Sequence, residues 1–170
     1  MQLPNPETLL SDITSKIIAM IQPETAIVGI HSGGVWLMER ILAELNHAVP
    51  NGTLDAALYR DDFAKRGLKT QSQAANIPFD VQGKHIILID DIFYTGRTTR
   101  AAINELFDFG RPASVTLAVL INRGGAELPI QPQIVGAHIP ISSDQRFQLS
   151  QTTQGKLNLV LEINQDADHV

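Results

Sequence analysis

The apolar segment Ile86–Ile89 constrains the fold most, because it is hydrophobic at every position and leads directly into two aspartates. An apolar run without alternation is typical of a strand that is buried on both faces, as in a parallel sheet covered by helices. Ser114–Ile121 is a second run of this kind and is also followed by polar residues. The two runs predict parallel strands whose carboxyl ends carry polar side chains at one edge of a sheet.

Segments of helical and strand character alternate along the rest of the chain. Asn5 and Pro6 predict the N-cap and first position of a helix that ends near Met20. Another helix follows the aspartates and ends at Phe109, before Gly110. A further amphipathic helix is predicted from the helical spacing of Val35, Met38, Ile41, Leu42 and Leu45. Further strands are predicted at Ala26–Ile30, Thr53–Tyr59, His85–Ile89, Ile134–Ile139 and Leu157–Ile163. This order predicts an α/β fold, with a mostly parallel twisted sheet flanked by helices on both faces.

The domain organisation follows from length and from the single long polar stretch. A chain of 170 residues suits one domain, and neither a repeat nor a linker divides it, so residues 1–170 are expected to form a single domain. Arg60–Lys84 is polar with little periodicity. Loops of this length inside a compact domain are usually functional lids or disordered, and we expect a flexible lid at about residues 60–84.

Composition excludes several classes of protein. The absence of cysteine excludes disulfides and thiolate metal sites. The apolar runs are shorter than the ~20 residues that a membrane-spanning helix needs, and the N-terminus lacks the pattern of a signal peptide. We therefore expect a cytoplasmic protein without a membrane association. A net charge of -5 disfavours a broad nucleic-acid surface, although a local basic patch is compatible with it.

The polar residues after Ile89 suit a ligand with a phosphate at one end and hydroxyls at the other. Thr95–Thr98 stands at a predicted helix start, where free N–H groups and the helix dipole favour an anion. Asp90 and Asp91 would repel that anion but suit hydroxyls or a magnesium ion. Each residue alone is more simply explained as a turn or cap, but the whole group exceeds what one cap requires. Ribose 5-phosphate has both of these features.

This segment also resembles a known motif. Ile86–Thr98 is similar to the motif with which type I phosphoribosyltransferases bind 5-phosphoribosyl 1-pyrophosphate (PRPP). Leu58–Asp62, Gly110–Pro112 and Glu127–Ile130 further resemble one branch, the pyrimidine-operon regulator/uracil phosphoribosyltransferase (PyrR) family. The resemblance implies the type I phosphoribosyltransferase fold and an enzyme that converts uracil and PRPP into uridine 5-monophosphate (UMP) and pyrophosphate with Mg²⁺. It also implies a homodimer or a higher homo-oligomer.

The resemblance assigns roles to individual residues. Asp90 and Asp91 would bind the ribose hydroxyls, directly or beside Mg²⁺, and with Arg60 form the expected catalytic group. His31–Gly34 would form the pyrophosphate loop, and the lid would supply cations to pyrophosphate, namely Arg60, Lys65, Arg66 and Lys69. The expected substrate-binding residues are Ser32, Gly33, Gly34, Asp90, Asp91, Ile92, Phe93, Tyr94, Thr95, Gly96, Arg97, Thr98 and Arg123. The pyrimidine would lie beside Asn122, Arg123 and Ile139–Ser142, whereas His138 is more simply a structural or surface residue.

The chain departs from the family at positions associated with RNA binding and with the pyrophosphate loop. Gly125-Ala126 and Gln131 stand where regulatory members carry basic residues, Ser32–Gly34 lacks the usual arginine, and Asn122 replaces a common aspartate. From Pro112 onward the only lysines and arginines are Arg123, Arg146 and Lys156. We predict that RNA-dependent attenuation is weakened or lost. Three alternatives remain open: an RNA-binding regulator whose nucleotide site only senses, a non-catalytic nucleotide sensor, and a purine phosphoribosyltransferase.

Overall fold

The computed structural model describes residues 2–56 and 74–163. Its main sheet has five parallel strands in the order β2-β1-β3-β4-β5. These strands are β1 (Thr25–Ile30), β2 (Asn51–Leu54), β3 (His85–Phe93), β4 (Ser114–Asn122) and β5 (Ile134–His138). The chain moves from β1 to one side and then returns to place β3 on the other, so the sheet has a topological switch point between β1 and β3. Open α/β sheets bind ligands beyond the carboxyl ends of their strands at such a point.

In the described part of the chain, three helices cover the sheet on both faces, as predicted. They are α1 (Pro6–Ile18), α2 (Gly33–Ala43) and α3 (Arg97–Asp108). Residues of α1 and α2 share one core with Ile87 and Ile89 of β3, and residues of α3 share the other with Ile86 and Leu88. Adjacent residues of β3 therefore face opposite layers, which is the reason for its unbroken apolar run. No helix among residues 2–56 and 74–163 is long and apolar enough to cross a membrane.

A separate antiparallel hairpin follows the sheet, formed by β6 (Gln145–Gln151) and β7 (Leu157–Ile163). Sequence analysis predicted β7 but missed β6, whose residues are polar apart from Phe147 and Leu149. Those two side chains are buried in the core that also contains α1 and α2. A strand with only two inward apolar residues gives too short a pattern to be recognised from sequence.

Several predicted boundaries need correction. The aspartates do not follow their strand, because β3 continues past Ile89 to Phe93. The strand predicted at Thr53–Tyr59 begins at Asn51 and ends at Leu54, and its last predicted residues lie outside the described part of the chain. The other predicted strands and helices are confirmed to within a few residues. The side chain of Asn5 caps α1 as predicted, because its Oδ1 accepts a hydrogen bond of 2.9 Å from the backbone N–H of Glu7.

Residues 60–73 of the predicted lid lie outside the described residues, but the structure places the part from 74 to 84. Asn76 exchanges two backbone hydrogen bonds with Thr53, of 2.8 and 2.9 Å. Val81 is fully buried, and Ile77 and Phe79 pack against the core that contains α3. Residues 76–81 of the predicted lid therefore pack against the sheet and its core, and the lid itself stays a prediction.

Glu7 connects three elements outside the sheet. Its carboxylate accepts hydrogen bonds from both terminal nitrogens of Arg40 on α2, at 3.3 and 2.7 Å. It also accepts a 2.8 Å hydrogen bond from the backbone N–H of Leu157 on β7, and Arg40 donates to the carbonyl of Gly155 at 3.0 Å. The hydrogen bond from Arg40, followed by that from the backbone of Leu157, lowers the pKa of Glu7 below its ordinary value of 4.5.

Replacement of Glu7 by Gln should lower the free energy of unfolding by about 1–2 kcal/mol at neutral pH, because it removes a bidentate ion pair on a partly exposed surface. A carboxyl group with a lowered folded-state pKa stabilises the fold fully above its unfolded pKa, and this stabilisation is lost as the pH falls through the folded pKa. The difference between wild type and Glu7→Gln should therefore shrink below pH 4.5 in urea denaturation experiments. A difference that stays constant down to pH 3 would contradict this assignment.

Candidate phosphoribosyl site

The two predicted carboxylates lie in the C-terminal part of β3, the middle strand of the sheet. Asp90 is 3% exposed and Asp91 is 6% exposed. Oδ1 of Asp90 accepts a 2.9 Å hydrogen bond from the backbone N–H of Asp91. Because side chains alternate along a strand, Asp91 faces the layer of α1 and α2, and Asp90 faces the layer of α3. The carboxylates thus stand on the two sides of the same strand end.

The predicted pyrophosphate loop lies directly against Asp91. A Cβ added to Gly33 would come within 2.4 Å of both Cγ and Oδ2 of Asp91, and a Cβ on Gly34 would come within 2.2 Å of the carbonyl oxygen of Ile89. Only glycine leaves room for these contacts at either position. The peptide bond between His31 and Ser32 is cis. The first turn of α2 therefore begins beside the carboxylate, with the N–H groups of a helix N-terminus available to an anion.

The segment after β3 forms the predicted tight turn into α3. Gly96 is the N-cap of α3 and has a φ of 92°, a left-handed conformation that favours glycine. The hydroxyl of Thr95, which is buried, accepts a 3.2 Å hydrogen bond from the backbone N–H of Arg97. The helix start predicted at Thr95–Thr98 is confirmed, with Arg97 as the first helical residue.

Other members of the predicted binding stretch have structural contacts. The side chain of Phe93 is buried in the core that contains α3, and Ile92 packs against the opposite core. Because the side chain of Phe93 is only 2% exposed, a ligand would contact this residue through its backbone. Thr98 is half-buried on the first turn of α3, and the side chain of Arg97 forms an ion pair with Glu127.

The end of β4 is joined to the end of β3 through Arg123, which is 7% exposed. Its guanidinium carbon lies 3.8 Å from the centroid of the Tyr94 ring, and its backbone N–H donates to the carbonyl of Phe93 at 3.0 Å. Nη2 of Arg123 also donates to the carbonyl of Ser142 at 3.0 Å. Arg123 therefore brings together the segments at which the pyrimidine was expected. Sequence analysis predicted Arg123 as a substrate ligand but missed its stacking on Tyr94.

Two glycines shape the loop after β4. Gly124 and Gly125 have φ values of 76° and 86°. A Cβ on Gly125 would come within 2.6 Å of Cε2 of the Tyr94 ring, so this loop packs closely against the ring on which Arg123 also stacks. Oδ1 of Asn122 accepts a 3.0 Å hydrogen bond from the N–H of Gly124, which fixes the direction of the amide.

The remaining predicted residues divide into two groups. His138 is exposed at the end of β5, in agreement with its interpretation as a surface residue. Arg60 and the other predicted lid cations, Lys65, Arg66 and Lys69, lie outside the described residues, as does the Leu58–Asp62 landmark. Within residues 2–56 and 74–163, no three histidine, aspartate or glutamate side chains are grouped so that they could hold a metal ion by themselves.

The sequence and the fold of this chain are matched by a family of enzymes. Residues 3–148 match the model of the phosphoribosyl transferase domain. A hypoxanthine-guanine phosphoribosyltransferase from Bacillus anthracis has a similar fold, with a TM-score of 0.64, 18% identity, and coverage of 82% of this chain and 84% of that one. A hypoxanthine phosphoribosyltransferase from Trypanosoma cruzi gives a TM-score of 0.60 at 22% identity, over 81% of this chain and 80% of that one. The chain is a phosphoribosyltransferase, and the predicted type I fold is confirmed.

Curated relatives identify one branch of this family. The Bifunctional protein PyrR of Pseudomonas savastanoi pv. phaseolicola is 44% identical over 154 residues, which cover 88% of this chain and 91% of the relative. The Bifunctional protein PyrR of Nitrosococcus oceani is 47% identical over 144 residues, which cover 84% of this chain and 81% of the relative. The chain therefore belongs to the PyrR family, as the Glu127–Ile130 and Gly110–Pro112 landmarks indicated.

Proposed function

We propose that the chain transfers the 5-phosphoribosyl group of PRPP to uracil and produces UMP and pyrophosphate. The observation that carries this proposal is the contact between Gly33 and Asp91, which joins an anion loop to a carboxylate at the switch point of the sheet. The start of α3 lies at the end of the same strand. PyrR relatives at 44–47% identity favour a pyrimidine over a purine, since the purine enzymes share only the fold, at 18–22% identity.

In the proposed arrangement, the 5-phosphate lies on the turn Thr95–Thr98 and the pyrophosphate on His31–Gly34. The first N–H groups of α2 and α3 then act as fixed donors, which stabilise negative charge without reorganisation during the reaction. Asp90 and Asp91 accept hydrogen bonds from the ribose hydroxyls and hold the ring between the two loops. One ligand can satisfy both loops only if its two anionic groups flank a diol, and PRPP has this arrangement.

Phosphoribosyltransferases generally use Mg²⁺ together with PRPP, and the donor set here is compatible with it. Carboxylate oxygens are the protein ligands that Mg²⁺ prefers, and this ion usually keeps waters and substrate oxygens in its other positions. Asp90 and Asp91 would hold the ion, directly or through water, with PRPP supplying further oxygens. When bound, Mg²⁺ would neutralise part of the charge on the leaving pyrophosphate.

The transfer itself is a substitution at the anomeric carbon. A nitrogen of uracil forms a bond to that carbon as the bond to the pyrophosphate oxygen breaks, and the proton of the attacking N–H leaves to solvent or to the departing pyrophosphate. The transition state has positive charge on the ribose ring, which the buried carboxylate of Asp91 would stabilise. The base is expected beside Asn122, Arg123 and the segment at Ser142.

Turnover is the direct test of this proposal. Purified protein incubated with PRPP, Mg²⁺ and labelled uracil should form labelled UMP, and omission of any one of the three components should abolish the product. Hypoxanthine in place of uracil serves as the matched control for the purine alternative. Binding of PRPP by calorimetry without turnover of uracil would contradict the enzyme and favour the nucleotide sensor. Turnover of hypoxanthine instead would assign a purine base.

RNA binding is the second candidate function, because the similar PyrR relatives are named bifunctional. The cations in the C-terminal half of this chain do not favour it. Among the described residues from 112 to 163, Arg123 is buried, and Arg146 pairs with Glu162 at 2.7 Å. Lys156 is exposed. RNA affinity depends steeply on the number of phosphates that cations neutralise, so this half of the chain provides little of it.

We expect no tight binding to a pyrimidine-operon leader RNA in filter-binding assays at low salt, whether or not UMP is present. The reason is the small number of accessible cations in the C-terminal half. A curated PyrR relative assayed in parallel on its own leader provides the positive control. Nanomolar affinity that depends on UMP would overturn the expectation and establish the regulator.

Self-association and cytoplasmic location complete the proposal. We infer a homodimer or a higher homo-oligomer from the family to which the chain belongs. Analytical ultracentrifugation at several concentrations measures this directly, and a species with the mass of one 18.6 kDa chain throughout would contradict it. We infer a cytoplasmic location because PRPP, the expected phosphoribosyl donor, is a phosphorylated intracellular metabolite.

A further inference from the structure

The Glu127–Ile130 segment lies directly against the turn at the start of α3. The backbone N–H groups of Glu127 and Leu128 both donate to the carbonyl oxygen of Thr95, at 3.0 and 3.2 Å. A carbonyl oxygen has two lone pairs, and both are used here by the same neighbouring segment. The residue before Gly96 is therefore fixed in orientation by hydrogen bonds from a different part of the chain.

The same segment also packs against Gly96. A Cβ added to Gly96 would lie 3.5 Å from Cβ of Leu128 and 3.7 Å from Cβ of Ile130, so these two side chains lie beside the turn and would touch a methyl group placed there. Ile130 in turn packs against the core that contains α3. This apolar support connects the turn to the interior of the molecule.

An ion pair completes the contact on the far side of Gly96. The carboxylate of Glu127 pairs with the guanidinium of Arg97, and both side chains are about half exposed. Glu127 therefore holds the turn at two places, through its backbone at Thr95 and through its side chain at Arg97. These places lie on either side of Gly96, which has the left-handed φ of 92°.

We propose that Glu127 is a positioning residue for the 5-phosphate of PRPP and acts through Arg97 and Thr95. A phosphate on this turn is bound by N–H groups whose directions depend on the backbone of Thr95–Thr98, and small displacements of such donors weaken binding. The negative charge of Glu127 also repels a nearby phosphate. The gain in binding from positioning the turn must be larger than this repulsion. This inference rests on the proposed function for the place of the phosphate.

Replacement of Glu127 by Gln tests the inference, because Gln keeps the size of the side chain and the backbone hydrogen bond to Thr95 but removes the charge. We expect the KM for PRPP to rise roughly three- to tenfold, the scale of an exposed ion pair, with kcat changed less than about twofold. Glu127→Asp, which keeps the charge, should restore part of the loss. In an Arg97→Gln background, Glu127→Gln should have no further effect, since the partner is already absent.

Glu162→Gln is the matched control, because Glu162 forms a comparably exposed ion pair with Arg146 on the β6–β7 hairpin. It should leave the KM for PRPP unchanged. An unchanged or lower KM in Glu127→Gln, or a rise that persists in the Arg97→Gln background, would overturn the positioning role. Calorimetric titration with PRPP distinguishes a failure of the positioning role of Glu127 from a failure of the proposed reaction with uracil. Wild-type protein that binds PRPP without converting uracil rejects the proposed reaction with uracil. In that case the Kd values of the variants for PRPP still decide the role of Glu127. Wild-type protein that binds no PRPP rejects both.

Discussion

Asp91→Asn is expected to lower turnover by roughly two orders of magnitude or more while the protein remains folded, the scale for loss of one preorganised electrostatic group. Asn has nearly the size of Asp and can occupy the same space against Gly33. The substitution removes the negative charge that would face the ribose in the transition state and contribute to a Mg²⁺ site. Steady-state kinetics should show the loss mainly in kcat, because stabilisation present only in the transition state affects kcat and kcat/KM together.

Asp12→Asn, at an exposed position of α1, is a suitable control for the loss of one carboxylate. It should leave turnover unchanged. Thermal unfolding should show an intact fold in Asp91→Asn, since the neutral side chain removes a buried charge without opening a cavity. Wild-type kinetics in Asp91→Asn would refute the role assigned to this residue. A loss of the cooperative unfolding transition would instead indicate a structural role.

The parts of the fold that could be predicted from sequence are those specified by strong local patterns. The unbroken apolar run at Ile86–Ile89 identifies a strand covered on both faces, and the structure shows its side chains divided between two cores. Asn5-Pro6 identifies a helix start because the cap is a local hydrogen bond. Weak patterns were not sufficient. Gln145–Gln151 has only two inward apolar residues, and its strand is stabilised by pairing with β7 and by the burial of Phe147 and Leu149 in the core that contains α1 and α2.

The candidate site could be predicted as a set of residues, but its contacts could not. Motif similarity placed Asp91 and Gly33 in one site, although they are far apart in sequence. Only the parallel pairing of β1 with β3 brings the loop after β1 against the carboxylate. The Tyr94–Arg123 stacking likewise depends on the pairing of β3 with β4. Such contacts are properties of the topology, and no local pattern in the sequence reports them.

The role of the Glu127–Ile130 segment could likewise not be predicted from its sequence. The segment was recognised as a family landmark, but no role followed from its composition, because Glu-Leu-Pro-Ile is an ordinary loop sequence. Its hydrogen bonds to Thr95 and its ion pair with Arg97 give it a physical function as the support of the α3 turn. A family landmark whose side chains carry no chemistry of their own can therefore act by fixing the positions of residues that do.

Gly33→Ala is expected to lower kcat/KM by roughly 10- to 100-fold, because it displaces a group at the reacting centre. The added methyl group would lie 2.4 Å from Cγ and 2.7 Å from Cβ of Asp91, so both the carboxylate and the local backbone must move. Such overpacking typically costs about 1–3 kcal/mol of stability, which urea denaturation would measure. The position has no left-handed φ, so the expected effect comes from lack of space and not from backbone strain.

A comparison with Asp91→Asn shows whether the methyl group acts through this carboxylate. If it does, the double variant Gly33→Ala/Asp91→Asn should be little slower than Asp91→Asn alone, because the displaced charge is already absent. Gly155→Ala is the matched control for loss of stability. It forces alanine into a φ of 78° on the β6–β7 hairpin, away from both anion loops. It should lower stability and leave kcat/KM unchanged. Fully additive losses in the double variant would instead indicate that Gly33 serves the pyrophosphate loop independently of Asp91.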